Sequence, residues 1–211
     1  AIAYLKTAIK KAKEFGKQHK EDRKIMVKLQ SDRQTERTTL KEQYEKAFSA
    51  RKQLQEDLTT ARLDVRNLMT EKEWDAFVQD SLADLEKKKE KTEKKKLKNQ
   101  KKIQDTLDKI RAAISDVLKD EQRRKEALLT FSSFEDKMLE LVRKTEALNF
   151  ATNETVQRYA VSREALMEIY DEMNAVPYEA FDSFLNLRDE LLTNMNDKKW
   201  KKISKALNKA L

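Results

Sequence analysis

Apolar residues recur at helical spacing along most of the chain, and one stretch in its first third is strictly periodic. Two rows repeat there at every seventh position, Leu40, Ala47, Leu54, Ala61 and Leu68 in one and Tyr44, Arg51, Leu58 and Val65 in the other. Such a repeat predicts a coiled-coil seam about four heptads, or about 44 Å, long. A seam needs a partner, so we expect the chain to fold back and supply one.

The fold-back point is predicted immediately after this seam. Thr70 and Glu73 have the spacing of a capping box, in which the hydroxyl and the carboxylate satisfy free amide groups at a helix start. Met69 and Trp74 flank that cap at the two positions of a hydrophobic staple. Residues 69–74, called the first corner here, therefore predict the end of one helix and the start of another.

A similar arrangement follows near the C-terminus. Asn196 is the predicted cap, with Met195 and Trp200 as the staple pair, although Lys199 replaces the glutamate of the box. Residues 195–200 are called the second corner. The shared offset also aligns apolar and aromatic positions in residues 40–78 with those in 166–204, which suggests an internal duplication. The alternative is that any two amphipathic helices align at some offset.

Further connections are predicted where the apolar pattern weakens. Residues 31–39 contain no aliphatic side chain, so the helix there is either solvated on all sides or broken. A capping box is predicted at residues 132–135, and a connection at 149–153. A helix is expected to stop near Asn174, with Pro177 in the first turn of the next.

Composition narrows the fold class. Among 211 residues, 40% are charged and 38% hydrophobic, with one glycine and one proline. So little turn chemistry excludes most β folds and predicts an all-α, elongated antiparallel helical bundle with coiled-coil-like long helices. We expect residues 1–130 to form a long-helix hairpin and residues 131–211 a compact helical bundle packed on it.

Residues 86–102 form a lysine-rich arm of the predicted hairpin, with one aliphatic residue. Its lysines are candidate anion-binding residues: Lys87, Lys88, Lys89, Lys91, Lys94, Lys95, Lys96, Lys98, Lys101 and Lys102. They would suit nucleic acid or an anionic membrane. The stretch lacks the arginine and aromatic residues that such contacts commonly use, and a solvated arm is the competing interpretation.

Catalytic and cofactor motifs are missing from the sequence. There is no glycine-rich phosphate loop, no cysteine, and a single histidine, His19, without the Glu-x-x-His pattern of di-iron bundles. We expect a protein that is not an enzyme, needs no cofactor or metal, and has no small-molecule substrate. His19 is interpreted as a structural residue.

The first corner, Met69-Thr70-Glu71-Lys72-Glu73, resembles the LTxxQ-type turn of the Spy/CpxP-like periplasmic helical proteins, with Met for Leu and Glu for Gln. Those proteins also carry the turn twice, and residues 195–199 would be the second copy. The resemblance implies a cradle-shaped periplasmic protein that holds non-native clients or senses envelope stress.

The leading hypothesis is thus a non-enzymatic helical protein that binds other macromolecules, in the manner of an extracytoplasmic chaperone or envelope protein. The start at Ala1 favours a periplasmic or otherwise exported protein over a cytoplasmic one. One alternative is a structural coiled-coil module that self-associates through residues 40–68. Another is an electrostatic binder of nucleic acid or anionic membrane.

Overall fold

The computed structural model describes the backbone of residues 2–210 and the side chains of residues 3–80, 82–83, 101 and 103–208. The described backbone forms six α-helices and no strand: α1 Ile2–Ser31, α2 Arg37–Arg66, α3 Glu71–Val117, α4 Glu121–Gln157, α5 Arg163–Thr193 and α6 Asp197–Ala210. The predicted all-α helical bundle is confirmed. Coiled-coil packing in the strict sense stays a prediction.

Each corner starts a helix through the side chain of its cap. The Thr70 hydroxyl accepts from the Glu73 amide at 3.3 Å, and the Glu73 carboxylate accepts from the Thr70 amide at 2.8 Å. These hydrogen bonds with Thr70 lower the pKa of Glu73. At the second corner the Asn196 side chain accepts from the Lys199 amide at 3.1 Å. The two corners thus begin α3 and α6.

Three predicted boundaries are wrong, two because polar side chains inside a helix were interpreted as caps or connections, and one because Pro177 was interpreted as the start of a helix. Residues 132–135 and 149–153 lie within α4. There Ser133 and Thr152 donate to the carbonyls of Leu129 and Leu148, one turn earlier. Residue 174 lies within α5, which continues through Pro177.

The physical reason in α5 is tertiary packing. A proline inside a helix costs about 3 kcal/mol. Asn174 does not cap the helix here but is buried against α2, where it exchanges hydrogen bonds with Gln55 at 2.6 and 3.2 Å. Phe181 and Phe184, on the other side of Pro177, are also buried. Contacts on both sides of the proline keep the helix continuous.

Two turns that the apolar pattern did not predict separate the remaining helices. The Asp120 carboxylate caps α4 by accepting from the Arg123 amide at 2.8 Å. The Ser162 hydroxyl caps α5 by accepting from the Ala165 amide at 3.1 Å. The boundary predicted at residue 130 lies inside α4, so a division there would cut a continuous helix. The two-domain division stays a prediction.

The centre of the bundle is the antiparallel pair of α2 and α5. Arg37 of α2 pairs with Asp189 of α5 at 2.7 Å, and Lys52 pairs with Asp171 at 3.3 Å, so the helices run in opposite directions. The seam of α2 takes part in this packing, because Leu40 is fully buried and Tyr44 stacks on Phe181. The heptad rows therefore find contacts within the chain at Leu40, Tyr44 and Val65, whereas Leu68, beyond the end of α2, is exposed.

Candidate functional site

The two corner tryptophans bind the ends of helices from the other half of the chain. The Trp74 indole donates to the carbonyl of Gln157, the last residue of α4, at 2.7 Å. The Trp200 indole donates to the carbonyl of Ser31, the last residue of α1, at 3.1 Å. Carbonyls at a helix end have no partner within the helix, so both tryptophans satisfy groups that would otherwise lack one.

An arginine completes each corner in the same way. Arg62 donates to the carbonyls of Val156 and Arg158, and its guanidinium lies 4.8 Å from the Trp74 ring centre. Arg188 donates to the carbonyls of Asp32 and Thr35, and its guanidinium lies 5.7 Å from the Trp200 ring centre. Burial lowers the pKa of both arginines. Because all these donors bind backbone groups of the same chain, the corners are structural joints.

The joints also show a constant spacing along the sequence. Trp74 and Trp200 are 126 residues apart, and so are their acceptors, Ser31 and Gln157. Helices α2 and α5 begin at residues 37 and 163, and α3 and α6 begin at residues 71 and 197, again 126 apart. This correspondence relates a first half, made of α1, α2 and the start of α3, to a second half, made of α4, α5 and α6. An internal duplication would produce it, and the duplication itself stays a prediction.

The anion-binding prediction falls almost wholly outside the described side chains. Of the ten lysines named above, Lys101 alone has a described side chain, and it is exposed. The backbone of the stretch belongs to α3. Binding of nucleic acid or anionic lipid through these lysines stays a prediction.

Residues 103–117 of α3, called the covering segment here, cover part of the apolar surface of the second half. Leu107, Ile110 and Ile114 of this segment are buried in one cluster with Phe131 of α4 and Ile203 of α6. Arg111 adds an ion pair with Glu135 of α4. The covering segment therefore packs against both α4 and α6.

The first half leaves the corresponding surface exposed. Leu5 takes the position of Phe131 and is 40% exposed, whereas Phe131 is 0% exposed. Phe77 takes the position of Ile203 and is also 40% exposed, against 0%. Tyr4 and Ile9 of α1 are exposed as well. We call Tyr4, Leu5, Ile9 and Phe77 the open face.

Charge is distributed unevenly beside the open face. Residues 2–13 of α1 contain four lysines and no acidic residue. Lys11 is paired with Asp57 of α2 at 2.7 Å, while Lys6, Lys10 and Lys13 are exposed. The start of α3 carries three exposed acidic residues, Glu71, Glu73 and Asp75, and the exposed Asp80 lies further along the same helix. A partner bound between α1 and α3 would meet a basic side and an acidic side.

The open face was not predicted from the sequence, because its residues form an ordinary amphipathic stripe. The available signal was the alignment itself, since Leu5 and Phe77 fall opposite core residues at the shared offset. What the sequence could not reveal is that residues 103–117 of α3 pack on the second half. That packing depends on tertiary contacts.

His19, the single histidine of the chain, lies beside an aromatic ring of α1. His19 stacks on Phe15 at 5.7 Å between ring centres, and no group of three or more His, Cys, Asp or Glu side chains in the described part is placed to hold a metal ion. Among the same residues, none of the helices combines the length and apolar character that a membrane crossing requires.

In comparisons with known proteins, no family model matches the chain, and neither a curated protein nor a solved structure matches it.

Proposed function

We propose that this is a non-enzymatic binding protein that accepts an amphipathic α-helix of another protein on its open face. The observation that carries the proposal is the contrast at corresponding positions: Leu5 and Phe77 are exposed where Phe131 and Ile203 are buried under the covering segment. The covering segment therefore illustrates how a helix can pack on a surface of this kind.

The covering segment suggests what the partner helix should look like. Its buried residues Leu107, Ile110 and Ile114 follow the spacing i, i+3, i+7, which places them on one helical face. A partner with this seam would remove apolar area of the open face from water, at about 25 cal/mol per Å².

Charge adds a second requirement. In the second half, Arg111 faces Glu135, whereas the position corresponding to Glu135 is Ile9, which lies among the lysines of α1. A partner should therefore carry an acidic residue on the side that faces α1. Complementary charge of this kind raises association rates and selects partners, and salt weakens it.

The test uses two synthetic 16-residue peptides. One has the sequence of residues 103–118, and the other has the same sequence with Arg111→Glu. Titrated into the full-length protein and followed by calorimetry, the Arg111→Glu peptide should bind at one site per chain and more tightly than its parent. Added salt should reduce the difference between the two.

Paired variants of the protein locate the site. Leu5→Asp combined with Phe77→Asp should abolish binding, while circular dichroism should show unchanged helicity because both residues are exposed. Phe150→Asp is the matched control, since Phe150 of α4 is also an exposed aromatic residue. No binding of either peptide, or binding lost in the control instead of the double variant, would refute the proposal.

Self-association is the alternative occupant, with the helix supplied by a second copy. Sedimentation velocity of the full-length protein separates the two cases. A monomer that binds the peptide supports a different protein as partner. A dimer that dissociates in the Leu5→Asp, Phe77→Asp variant would show that a second copy fills the face, and would overturn the choice of partner.

A further inference from the structure

A cavity of about 310 Å³ lies between α1, α2, α4 and α5, away from the open face. Its apolar lining includes Met26, Tyr44, Phe181 and Phe184, and the rings of Tyr44 and Phe181 are stacked with centres 4.1 Å apart. Apolar walls with a few polar groups, enclosing roughly 300–1,000 Å³, are typical of sites for small molecules.

A buried carboxylate lies in the wall of this cavity. Asp22 is only 3% exposed. It accepts hydrogen bonds from the side-chain amides of Gln18 at 3.1 Å and Gln43 at 3.3 Å, and both donors are neutral. Among the described residues Asp22 forms no ion pair, although a buried charge without a cation is costly. The Asp22 carboxylate thus has neutral hydrogen-bond donors and no ion pair among the described residues.

A second buried acceptor lies in the same wall. Gln30 is 4% exposed, and its side-chain oxygen has no hydrogen-bond partner among the described residues. Buried acceptors are almost always paired, so each exception requires an explanation. A donor on a bound molecule would satisfy this oxygen.

In the second half, apolar residues occupy the positions that correspond to the polar residues of the cavity wall. At the positions 126 residues further on, Leu148, Val156 and Ile169 replace Asp22, Gln30 and Gln43. Met173 replaces Ala47, which lines the cavity with a much smaller side chain. The first half is therefore both more polar and more open at the place where its counterpart is apolar.

From these observations we propose that the cavity binds a small organic cation, a protonated amine attached to an apolar or aromatic body. The ammonium group donates to the Asp22 carboxylate. The apolar body packs against Met26, Tyr44 and Phe181. Arg23 and His19 also line the cavity, but both are exposed to solvent at its rim.

This site does not depend on the open face, since its residues lie on other parts of the fold. Binding of a helical peptide and binding of an amine can therefore succeed or fail separately.

Three probes of similar size separate charge from shape: 2-phenylethylamine, 2-phenylethanol and 3-phenylpropanoate. Each is titrated into the full-length protein at neutral pH and followed by nuclear magnetic resonance. The amine should cause saturable shifts of the methyl signals of Met26 and Ala47. The alcohol and the carboxylate should bind about tenfold more weakly or not at all, because neither offers a cation to Asp22.

Two variants test the residues. Asp22→Asn should weaken amine binding by about tenfold while keeping the shape of the side chain. Ala47→Met should abolish binding by filling the space, as Met173 does in the second half. Asp171→Asn is the matched control, because Asp171 is an exposed carboxylate on α5.

A third variant distinguishes loss of amine binding from loss of folding. Asp22→Leu with Gln30→Val copies the second half and should remain folded while losing the response to the amine. Equal affinity for the alcohol and the amine, unchanged affinity in Asp22→Asn, or no saturable binding of the amine at millimolar concentration would each overturn the proposal.

Discussion

The two halves of the molecule use the same joints but present different surfaces. Each has a Trp that donates to the last carbonyl of a helix from the other half, and an Arg that donates to carbonyls at or just beyond that helix end. Residues 103–117 cover Phe131 and Ile203 of the second half, whereas Leu5 and Phe77 at the corresponding positions of the first half are exposed. The shared joints therefore determine how the helices are arranged, and the surfaces that differ between the halves are the candidate binding sites.

The two halves also differ in the residues that they bury at corresponding positions of α1 and α4. The first half carries Asp22 and Gln30 inside a cavity, and the second half has Leu148 and Val156 at the corresponding positions. Conversely, α4 has exposed apolar residues, Leu139, Val142 and Phe150, where α1 has Lys13, Gly16 and Lys24. The two halves thus expose apolar residues at different places, and we expect the first half to bind through the open face and the cavity described above.

The largest difference is expected from truncating corresponding core and surface residues. Phe131→Ala should lower the free energy of unfolding by about 3–5 kcal/mol, because it removes a fully buried ring from the cluster under the covering segment. Leu5→Ala should cost less than about 1 kcal/mol, since Leu5 is already exposed. Urea unfolding monitored by circular dichroism measures both, and similar losses would show that the halves are equally packed.

The two corner arginines should differ by a smaller amount. Arg188→Met leaves the carbonyls of Asp32 and Thr35 without their buried donor and should cost about 2–3 kcal/mol. Arg62→Met should cost about 1–2 kcal/mol, because Arg62 is less buried and water can replace it at part of its contacts. Thermal and urea unfolding give the comparison. A larger loss for Arg62 would reverse the order of importance assigned to the joints.

A gain in stability is expected at the single glycine. Gly16 lies inside α1, and an added Cβ would meet no atom within 4 Å. Gly16→Ala should therefore raise the free energy of unfolding by about 0.5–1 kcal/mol through helix propensity. Ala147→Gly, at an exposed position inside α4, is the reverse control and should lower stability by a similar amount. No change at residue 16 would indicate that α1 frays there before global unfolding.

Another expected effect concerns alkaline pH. Burial raises the pKa of Tyr44, in the cavity wall, from 10.0 to about 12. The folded protein therefore keeps a proton that the unfolded chain releases, so this contribution to stability is complete below about pH 10 and is lost as pH rises towards 12. Tyr44→Phe should flatten the loss of stability between pH 10 and 12. An identical alkaline profile for the variant would mean that Tyr44 ionises as an exposed phenol.

Local rules predicted much of the fold because local hydrogen bonds determine the corners. Thr70 with Glu73, and Asn196, have the side chains that a helix start requires, and the structure places helix starts there. The same rules failed at Ser133 and Thr152, whose hydroxyls bind carbonyls of the preceding turn. A hydroxyl suits both situations, so sequence alone does not distinguish a cap from a residue inside a helix.

The candidate sites were harder to predict because they arise from contacts distant in sequence. Asp22 looks like one more charge on a solvated helix until α2 and α5 bury it. Leu5 looks like part of a packed stripe, but it is exposed, whereas Phe131 at the corresponding position is buried against residues 107–117 of α3. In both cases, the informative property is burial, which depends on the whole arrangement of helices.

The most direct test of the contrast between the halves uses the absence of cysteine from the chain. Phe77→Cys and Ile203→Cys, made separately, place one thiol at each of two corresponding positions. Their reaction rates with a thiol reagent then report exposure in the folded protein. We predict that the thiol at position 77 reacts at the rate of an exposed cysteine and is protected by the Arg111→Glu peptide, whereas the thiol at 203 reacts only as fast as the helices open. Equal rates, or a faster reaction at 203, would contradict the account.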